Sequence, residues 1–278
     1  MPTIITSTAD IASMNIKERL IELYDFKETT RVIEGHPVYE CEGIELVTIN
    51  EDLVEAEHID NILKSDLLIF ASRHKSEMEV PALLVHAPGN WTINAPLGGR
   101  AKELAYTSAV AIKEALLELA EQKERLNLSE YDVTLEVSHH GPTSLSSPVV
   151  FVELGSSEKQ WSDKKAAEAV AHAVMRACMN FGKKTCKVAI GFGGPHYAPQ
   201  FTKVVLRTDF ALSHIAPRYV LDELEEDMIK MAVSKTVEEV KYAILDWKGM
   251  KKEHKDAILP VLERLGLSVE RTQRLLKG

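Results

Sequence analysis

Apolar residues fall along this chain in blocks of two kinds. Leu67-Leu-Ile-Phe70, Ala82-Leu-Leu-Val85, Val149-Val-Phe-Val152 and Val188-Ala-Ile190 are short continuous runs, the pattern of strands buried on both faces. Tyr131 to Val137 alternates Val133, Leu135 and Val137 with polar residues, as a half-buried strand does. Between these runs the spacing is helical. Ile11, Ile16, Leu20 and Leu23 recur on one side after Asp10, and Leu104, Ala111, Ala115, Leu116 and Leu119 mark the longest helix, over 101–126. A further helix is predicted over 163–181. Ile4 and Ile5 open the chain as a strand, and Arg31 to Ile49 reads as a hairpin of two extended runs around His36-Pro37 and Glu42-Gly43. Strands alternating with helices predict an α/β fold, a three-layer α/β/α sandwich, with the hairpin making its sheet mixed.

Past Arg207 the pattern weakens. Glu223 to Val233 reads as a helix, Val237 to Leu245 is ambiguous, and Lys251 to Leu265 is helical with Gly266 as its stop. No internal repeat or low-complexity linker divides the chain. The expected organisation is an α/β catalytic domain over 1–247 with a basic helical appendage of the same domain over 248–278.

Composition adds limits. Among 278 residues, 45% are apolar and 27% charged, as in ordinary globular proteins, and no apolar run approaches the ~20 residues of a membrane span. Cys41, Cys178 and Cys186 have no C-x-x-C spacing, which argues against a thiolate zinc site and fits a reducing cytoplasm. A net charge of −9 argues against bulk capture of nucleic acid. The distribution is uneven, however: from Lys248 onward eight Lys/Arg face four acids, and Lys183-Lys184 forms a second basic spot. Lys183, Lys184, Lys251 and Lys252 are therefore candidate contacts to an RNA backbone, against the plainer reading of solvated helix faces.

The strand ends carry the chemistry. Strand 67–70 leads to His74, strand 82–85 to His86, strand 131–137 to His139-His140-Gly-Pro, and strand 187–190 to Gly191-Phe-Gly-Gly-Pro-His196-Tyr197. If these strands are parallel neighbours, the histidines converge on the rim where open α/β sheets bind ligands. Strand alternation would let only one of His139 and His140 reach that rim, with His140 the expected working residue on a side shared with Glu136 or Ser138. Glu153, after the run 149–152, is the leading carboxylate. Such a cluster can hold zinc beside an open position for water, or use an imidazole as general base. No H-E-x-x-H and no G-x-S-x-G occurs, which argues against a zincin peptidase and a serine nucleophile. Two glycine loops are candidate anion cradles: Gly193 and Gly194 through their amides, and Gly99-Arg100 at the predicted start of the long helix.

Four blocks together resemble a known family: Ser72-Arg-His-Lys-Ser76, His86-Ala-Pro-Gly-Asn90, Ser138-His-His-Gly-Pro-Thr143 with Pro148-Val-Val-Phe-Val-Glu-Leu-Gly-Ser156, and Gly193-Gly-Pro-His-Tyr197. They look like the archaeal- and plant-type D-aminoacyl-tRNA deacylases. The resemblance implies hydrolysis of the ester joining a D-amino acid to the terminal ribose of tRNA, on a phosphorylase- and hydrolase-like fold. It also implies zinc, for which His74, His86 and His140 are the candidate ligands. Catalytic roles carry over to His139, His140, His196, Tyr197 and Glu153, with individual duties open. The implied partner is tRNA carrying a D-amino acid, with no membrane, no obligate protein partner and a cytoplasmic location. Two rivals stand beside this reading: a metal-dependent amidase or carboxypeptidase on the same fold, and a non-catalytic tRNA-binding protein with structural histidines.

Overall fold

A computed structural model describes residues 1–277. Strand β1 (Thr3–Ser7) leads to helix α1 (Ile11–Leu23), whose N-cap Asp10 accepts a hydrogen bond from the Ser13 amide. Ile16 and Leu20 are buried, whereas Ile11 and Leu23 stay exposed, so the packed face of α1 is narrower than its spacing suggests. The expected hairpin is a three-stranded meander of β2 (Lys27–Ile33), β3 (His36–Cys41) and β4 (Ile44–Ile49). Its turns are Glu34-Gly35 and Glu42-Gly43, each with two positive φ angles, the geometry that joins twisted antiparallel strands in two residues. His36-Pro37 lies inside β3, not at a turn.

Short helix α2 (Ile59–Ile62) precedes β5 (Leu68–Lys75) and β6 (Ala82–His86), and the two-residue strands β7 (Gly89–Asn90) and β8 (Glu103–Leu104) pair with each other. Helix α3 (Ala109–Arg125) starts later than its spacing predicts, because Ser108 caps it through the Ala111 amide. Arg100 therefore lies in a loop and Leu104 in β8, and Gly99-Arg100 is not a helix N-terminus. Then follow β9 (Asp132–Leu135), β10 (Val149–Ser156), α4 (Glu158–Trp161) and α5 (Lys164–Asn180).

These strands form an eight-stranded mixed sheet in the order β2-β3-β4-β1-β5-β10-β6-β9. Strands β5 and β10 lie inside it and are parallel, whereas β6 runs antiparallel to β10. On β10, Val150, Val152 and Leu154 face the core shared with α1, α3 and α5. Phe151 and Glu153 alternate to the other face, where Phe151 stacks on Phe70.

The remaining elements are β11 (Lys187–Phe192), α6 (Pro199–Arg207), β12 (Phe210–Ala216), α7 (Glu226–Ser234), β13 (Tyr242–Leu245), α8 (Lys252–Arg264), β14 (Ser268–Arg271) and α9 (Thr272–Leu275). Here β12-β11-β13-β14 make a second, parallel sheet. The four histidine-bearing strands are thus divided between two sheets, and β6 points opposite to its neighbour. The segment 248–278 is also not purely helical, since β14 completes the second sheet and Ile258, Val261 and Leu262 of α8 join its core.

Strand β12 escapes a periodicity reading because Ser213 and His214 interrupt its apolar residues, yet both are buried. Thr236 Oγ1 donates to Ser213 Oγ, while His214 Nε2 donates to Ala105 O and Nδ1 accepts from Ser138 Oγ. Burial pushes the His214 pKa down to about 4, so the ring is neutral in the fold. An unfolded chain takes up this proton below about pH 6.5, and the stability His214 contributes is lost as pH falls from there towards 4. Denaturant unfolding at pH 7 and pH 5 is expected to show a loss about 2 kcal/mol larger in the wild type than in His214→Gln. Equal pH slopes in both proteins would count against this account.

Candidate active site

Glu153 is the centre of the cluster. It lies within β10 rather than after it, with its side chain on the face opposite the helices. On the β5 side, His74 Nδ1 stands 3.4 Å from Glu153 Oε2. On the β6 side, His86 Nε2 stands 3.5 Å from Oε1, and His140 Nε2 approaches the same oxygen at 3.9 Å. The antiparallel direction of β6 is what allows this. His86 ends its strand opposite Phe151 and His74 opposite Gly155, so the two bracket Glu153 from either side.

Both members of the His139-His140 pair reach the cluster. Strand β9 stops at Leu135, and His140 has a φ of 48°, so strand alternation does not govern the pair. The His139 ring centroid lies 4.4 Å from that of His86, 4.5 Å from His140 and 4.6 Å from His196. Glu136 does not share a side with His140. It faces His196, whose Nε2 is 2.9 Å from Oε1, and His74, whose Nδ1 is 3.5 Å from Oε2. None of these approaches is aligned as a hydrogen bond, which leaves both carboxylate oxygens of a buried glutamate without a hydrogen-bond partner. Ser138 turns away, its hydroxyl bonded to His214.

The second sheet fixes this loop. Ser138 N donates to Ile215 O, Ile215 N to Ser138 Oγ, and Val137 N to His196 O. On the other side Gly141 meets the 97–99 loop so closely that a Cβ there would sit 2.3 Å from Gly99 N. A Cβ on Gly99 would likewise strike the Thr143 methyl at 2.6 Å, so close packing requires glycine there. Gly155 is equally constrained: its Cβ would lie 2.6 Å from that of His74 and 2.8 Å from the His74 ring. Gly155→Ala is expected to displace this imidazole and lower turnover by about 100-fold, the scale of a 1 Å misplacement. Turnover within threefold of wild type would argue that His74 is not needed in place.

Electrostatically the cluster is divided. Burial opposes charge on His74, but Glu153 and Glu136 outweigh it and push the pKa up to about 10. His86 is also raised against its burial, by Glu153. Burial would lift Glu153, yet the imidazoles of His140, His74 and His86 hold its carboxyl well below the usual range. His139 goes the other way: burial, reinforced by His86, His140 and His196, holds it well below 6.5, and its ring is neutral.

Three rings share one orientation. His86, His139 and His140 place Nδ1 against the backbone carbonyls of Ala87, Val137 and Gly141, at 3.2, 2.9 and 2.6 Å. Nδ1–H donation leaves each Nε2 as the available ligand atom, and His86 Nε2 is buried without a hydrogen-bond partner. His86, His139 and His140 have ligand atoms within 4.8 Å of one another, as do Glu136 with His139 and His196, and His74 with Glu136 and Glu153. His74 does not join His86 and His140 in one such group; Glu153 separates them.

A cleft of about 330 Å³ opens onto His139, His140 and His196, bounded opposite by Trp91, Leu97 and Tyr219. His196 stands at its mouth with Nδ1 3.3 Å from the Tyr219 hydroxyl. Tyr197 lies behind, its hydroxyl 3.1 Å from His74 Nε2. Glu136, expected only beside His140, instead faces His196 and His74, and Tyr219 was not expected at the site. A charge between Leu135 and Val137 was the available signal for Glu136, whereas nothing in Pro217-Arg-Tyr219 marks the tyrosine.

The remaining expected contacts lie elsewhere. The Gly193 amide is spent on Ala216 O, and the Asp246 carboxylate flanks Gly194, so this loop does not cradle an anion. Arg100 donates its amide to Thr143 Oγ1 and leaves its side chain exposed near Glu103. Lys183 and Lys184 precede β11, a six-residue strand whose far end leads to His196, which puts them roughly 20 Å from the cleft. Lys251 is paired with Asp222, and Lys252 is exposed.

Residues 62–270 match the family model described as D-aminoacyl-tRNA deacylase. A protein of that name from Thermococcus kodakarensis is 39% identical over 273 residues, covering 96% of this chain and 98% of the relative. Another from Methanosarcina mazei is 40% identical over 279 residues, covering 96% and 91%. The crystal structure of a conserved protein of unknown function, AF0625, superposes with a TM-score of 0.91 at 33% identity, covering 100% of this chain and 97% of that one. The matched segment includes His74, His86, Glu136, His139, His140, Glu153, His196 and Tyr197. This chain belongs to the D-aminoacyl-tRNA deacylase family.

Proposed function

We infer that this chain hydrolyses the ester between a D-amino acid and the terminal ribose of tRNA, releasing free amino acid and tRNA. The observation that carries the reading is that the family match spans the whole histidine–glutamate cluster. That match leaves the amidase or carboxypeptidase alternative without support. Action on charged tRNA supports a cytoplasmic location. No described helix is long and apolar enough to cross a membrane.

Ester hydrolysis needs a base for the attacking water, a donor for the carbonyl oxygen as it gains charge, and a proton for the departing ribose oxygen. His196 suits the first and last tasks. It lines the cleft, and the Glu136 carboxylate, 2.9 Å behind its Nε2, balances the charge the ring acquires. Its Nδ1 faces the open side, where it takes a proton from water and returns it to the ribose oxygen. The Tyr219 hydroxyl, on the same cleft, is placed to donate to the oxyanion. His86, His139 and His140 are the residues that would hold zinc, since their shared orientation and the unpartnered His86 Nε2 fit a metal. Zinc so held supplies Lewis acidity and lowers the pKa of a bound water to about 7. Glu153 and His74 stand behind this set and keep its charges paired.

The test is release of label from tRNA charged with D-tyrosine or L-tyrosine. Turnover of the D form alone is expected; equal turnover of both, or of neither, overturns the reading.

A further inference from the structure

A second cleft, of about 740 Å³, lies between the end of β13 and the C-terminal residues, and the proposed chemistry makes no use of it. Its lining includes Trp247, Lys248, Arg271, Arg274 and Lys277, with Glu270 as its one acid. The Arg271 guanidinium sits 3.6 Å from the centre of the Trp247 ring, and Lys255 Nζ sits 4.6 Å from it. Trp247 thus holds two cations in place without neutralising either. Among the described residues, Lys248, Lys252, Lys255, Arg271, Arg274 and Lys277 make no ion pair. Elsewhere Lys187, Lys230, Lys241 and Arg264 each have a carboxylate partner, while Lys64, Lys75 and Lys203 have none among the described residues, so what distinguishes these six is their grouping around one groove. Six uncompensated cations on a chain of net charge −9 are a local feature that calls for an anion.

This groove shares an edge with the catalytic cleft. Phe192, which leads into Gly193–His196, pairs with Leu245, and Leu245 pairs with Arg271, so Arg271 lies two strand spacings, about 10 Å, from Phe192 on the same carboxyl end of the parallel sheet. The surface between them is also continuous. Tyr219 lines both the catalytic cleft and a pocket of about 440 Å³ containing Arg218, Lys251 and the Asp222 that pairs with it, and Lys248 lines both that pocket and the Trp247 groove.

We propose that this track, from Tyr219 through Lys248 to Arg271, Arg274 and Lys277, binds the phosphate backbone of the tRNA acceptor arm while its aminoacylated end occupies the histidine cleft. The proposal rests on the deacylase reading for the identity of the RNA. It offers a way for an acidic protein to take a polyanionic substrate, since six cations without carboxylate partners are grouped beside the cleft despite the net charge of −9. Phosphate contacts of this kind position the substrate without reading sequence, as an enzyme acting on many tRNAs requires.

The experiment compares wild type with Arg271→Glu/Arg274→Glu and, to guard against a folding defect in β14, with Arg274→Glu/Lys277→Glu. Filter binding of uncharged tRNA across a salt series is expected to weaken at least tenfold in each variant, with the log–log salt slope falling by about 2. For D-tyrosyl-tRNA, KM is expected to rise at least tenfold with kcat little changed. Hydrolysis of the D-tyrosyl ester of adenosine, which carries no phosphate for the groove to hold, should stay within twofold of wild type. Unchanged tRNA affinity overturns the proposal and leaves these cations to an acidic protein or to solvent. Equal losses on the tRNA and adenosine esters overturn it too, by placing the effect in the cleft. Should wild type fail to deacylate D-tyrosyl-tRNA, the deacylase reading falls, whereas the binding series still decides whether the groove holds RNA.

Discussion

Replacing His196 by alanine is expected to lower kcat for D-tyrosyl-tRNA about 1000-fold, with metal content and melting temperature close to wild type. General acid–base catalysis by one positioned side chain contributes roughly 100- to 10,000-fold, and the middle of that range corresponds to about 4 kcal/mol of barrier. The structure separates this residue from the rest of the cluster. His196 is partly exposed at the cleft mouth, while His86 and His140 are buried behind it with their Nδ1 atoms on backbone carbonyls. Truncating His196 therefore removes a proton carrier without opening the core. Glu136→Gln should retain the ring but lose its charge balance, giving a smaller fall in kcat and a changed pH–rate profile. His139→Ala is predicted to behave differently, losing metal and activity together, because His139 contributes to two of the three ligand groups. The measurements are single-turnover deacylation and metal content of each purified variant. A His196→Ala enzyme within tenfold of wild type would remove this residue from the chemistry.

That distinction could be drawn only in part from sequence. The continuous runs at 67–70, 82–85 and 149–152 were legible as buried strands because strands covered on both faces need no polar alternation. The histidines at their ends were legible as a cluster for the same reason. Strand direction was not. Local patterns carry no record of whether a neighbour runs parallel, and it is the antiparallel β6 that brings His86 to the opposite side of Glu153 from His74. Nor could alternation decide between His139 and His140, since the strand ends four residues before His139 and His140 takes a left-handed conformation. The second sheet stayed hidden behind Ser213 and His214, whose polarity disguises a buried strand whenever their partners are distant in sequence. Charge density near the C-terminus was visible in the sequence. Its division into paired and unpaired cations was not, because Asp222 neutralises Lys251 from 29 positions away.

Glu153→Gln is expected to cost about 3–5 kcal/mol, the usual price of removing one partner from a buried ion pair, and to lower Tm by roughly 10 °C. The reason lies in the position of this carboxylate. It occupies an otherwise apolar strand, between Phe151 and a glycine that contacts His74, where no solvent screens it. Its oxygens lie 3.4–3.9 Å from nitrogens of His74, His86 and His140, distances of charge pairing more than of aligned hydrogen bonds. Glutamine keeps the volume but removes the charge, and its amide would set an N–H group against the His74 imidazolium, which is itself a donor. His74 would then have Glu136 as its remaining counter-charge, and Glu136 would have to serve His74 and His196 together. Activity should fall with stability, because the rings proposed to hold the metal lose the carboxylate behind them. Calorimetry on wild type and variant, each with and without added zinc, measures the effect. A Tm within 2 °C of wild type in both states would mean that the imidazoles are held by packing alone, and that Glu153 is not the charge around which the site is built.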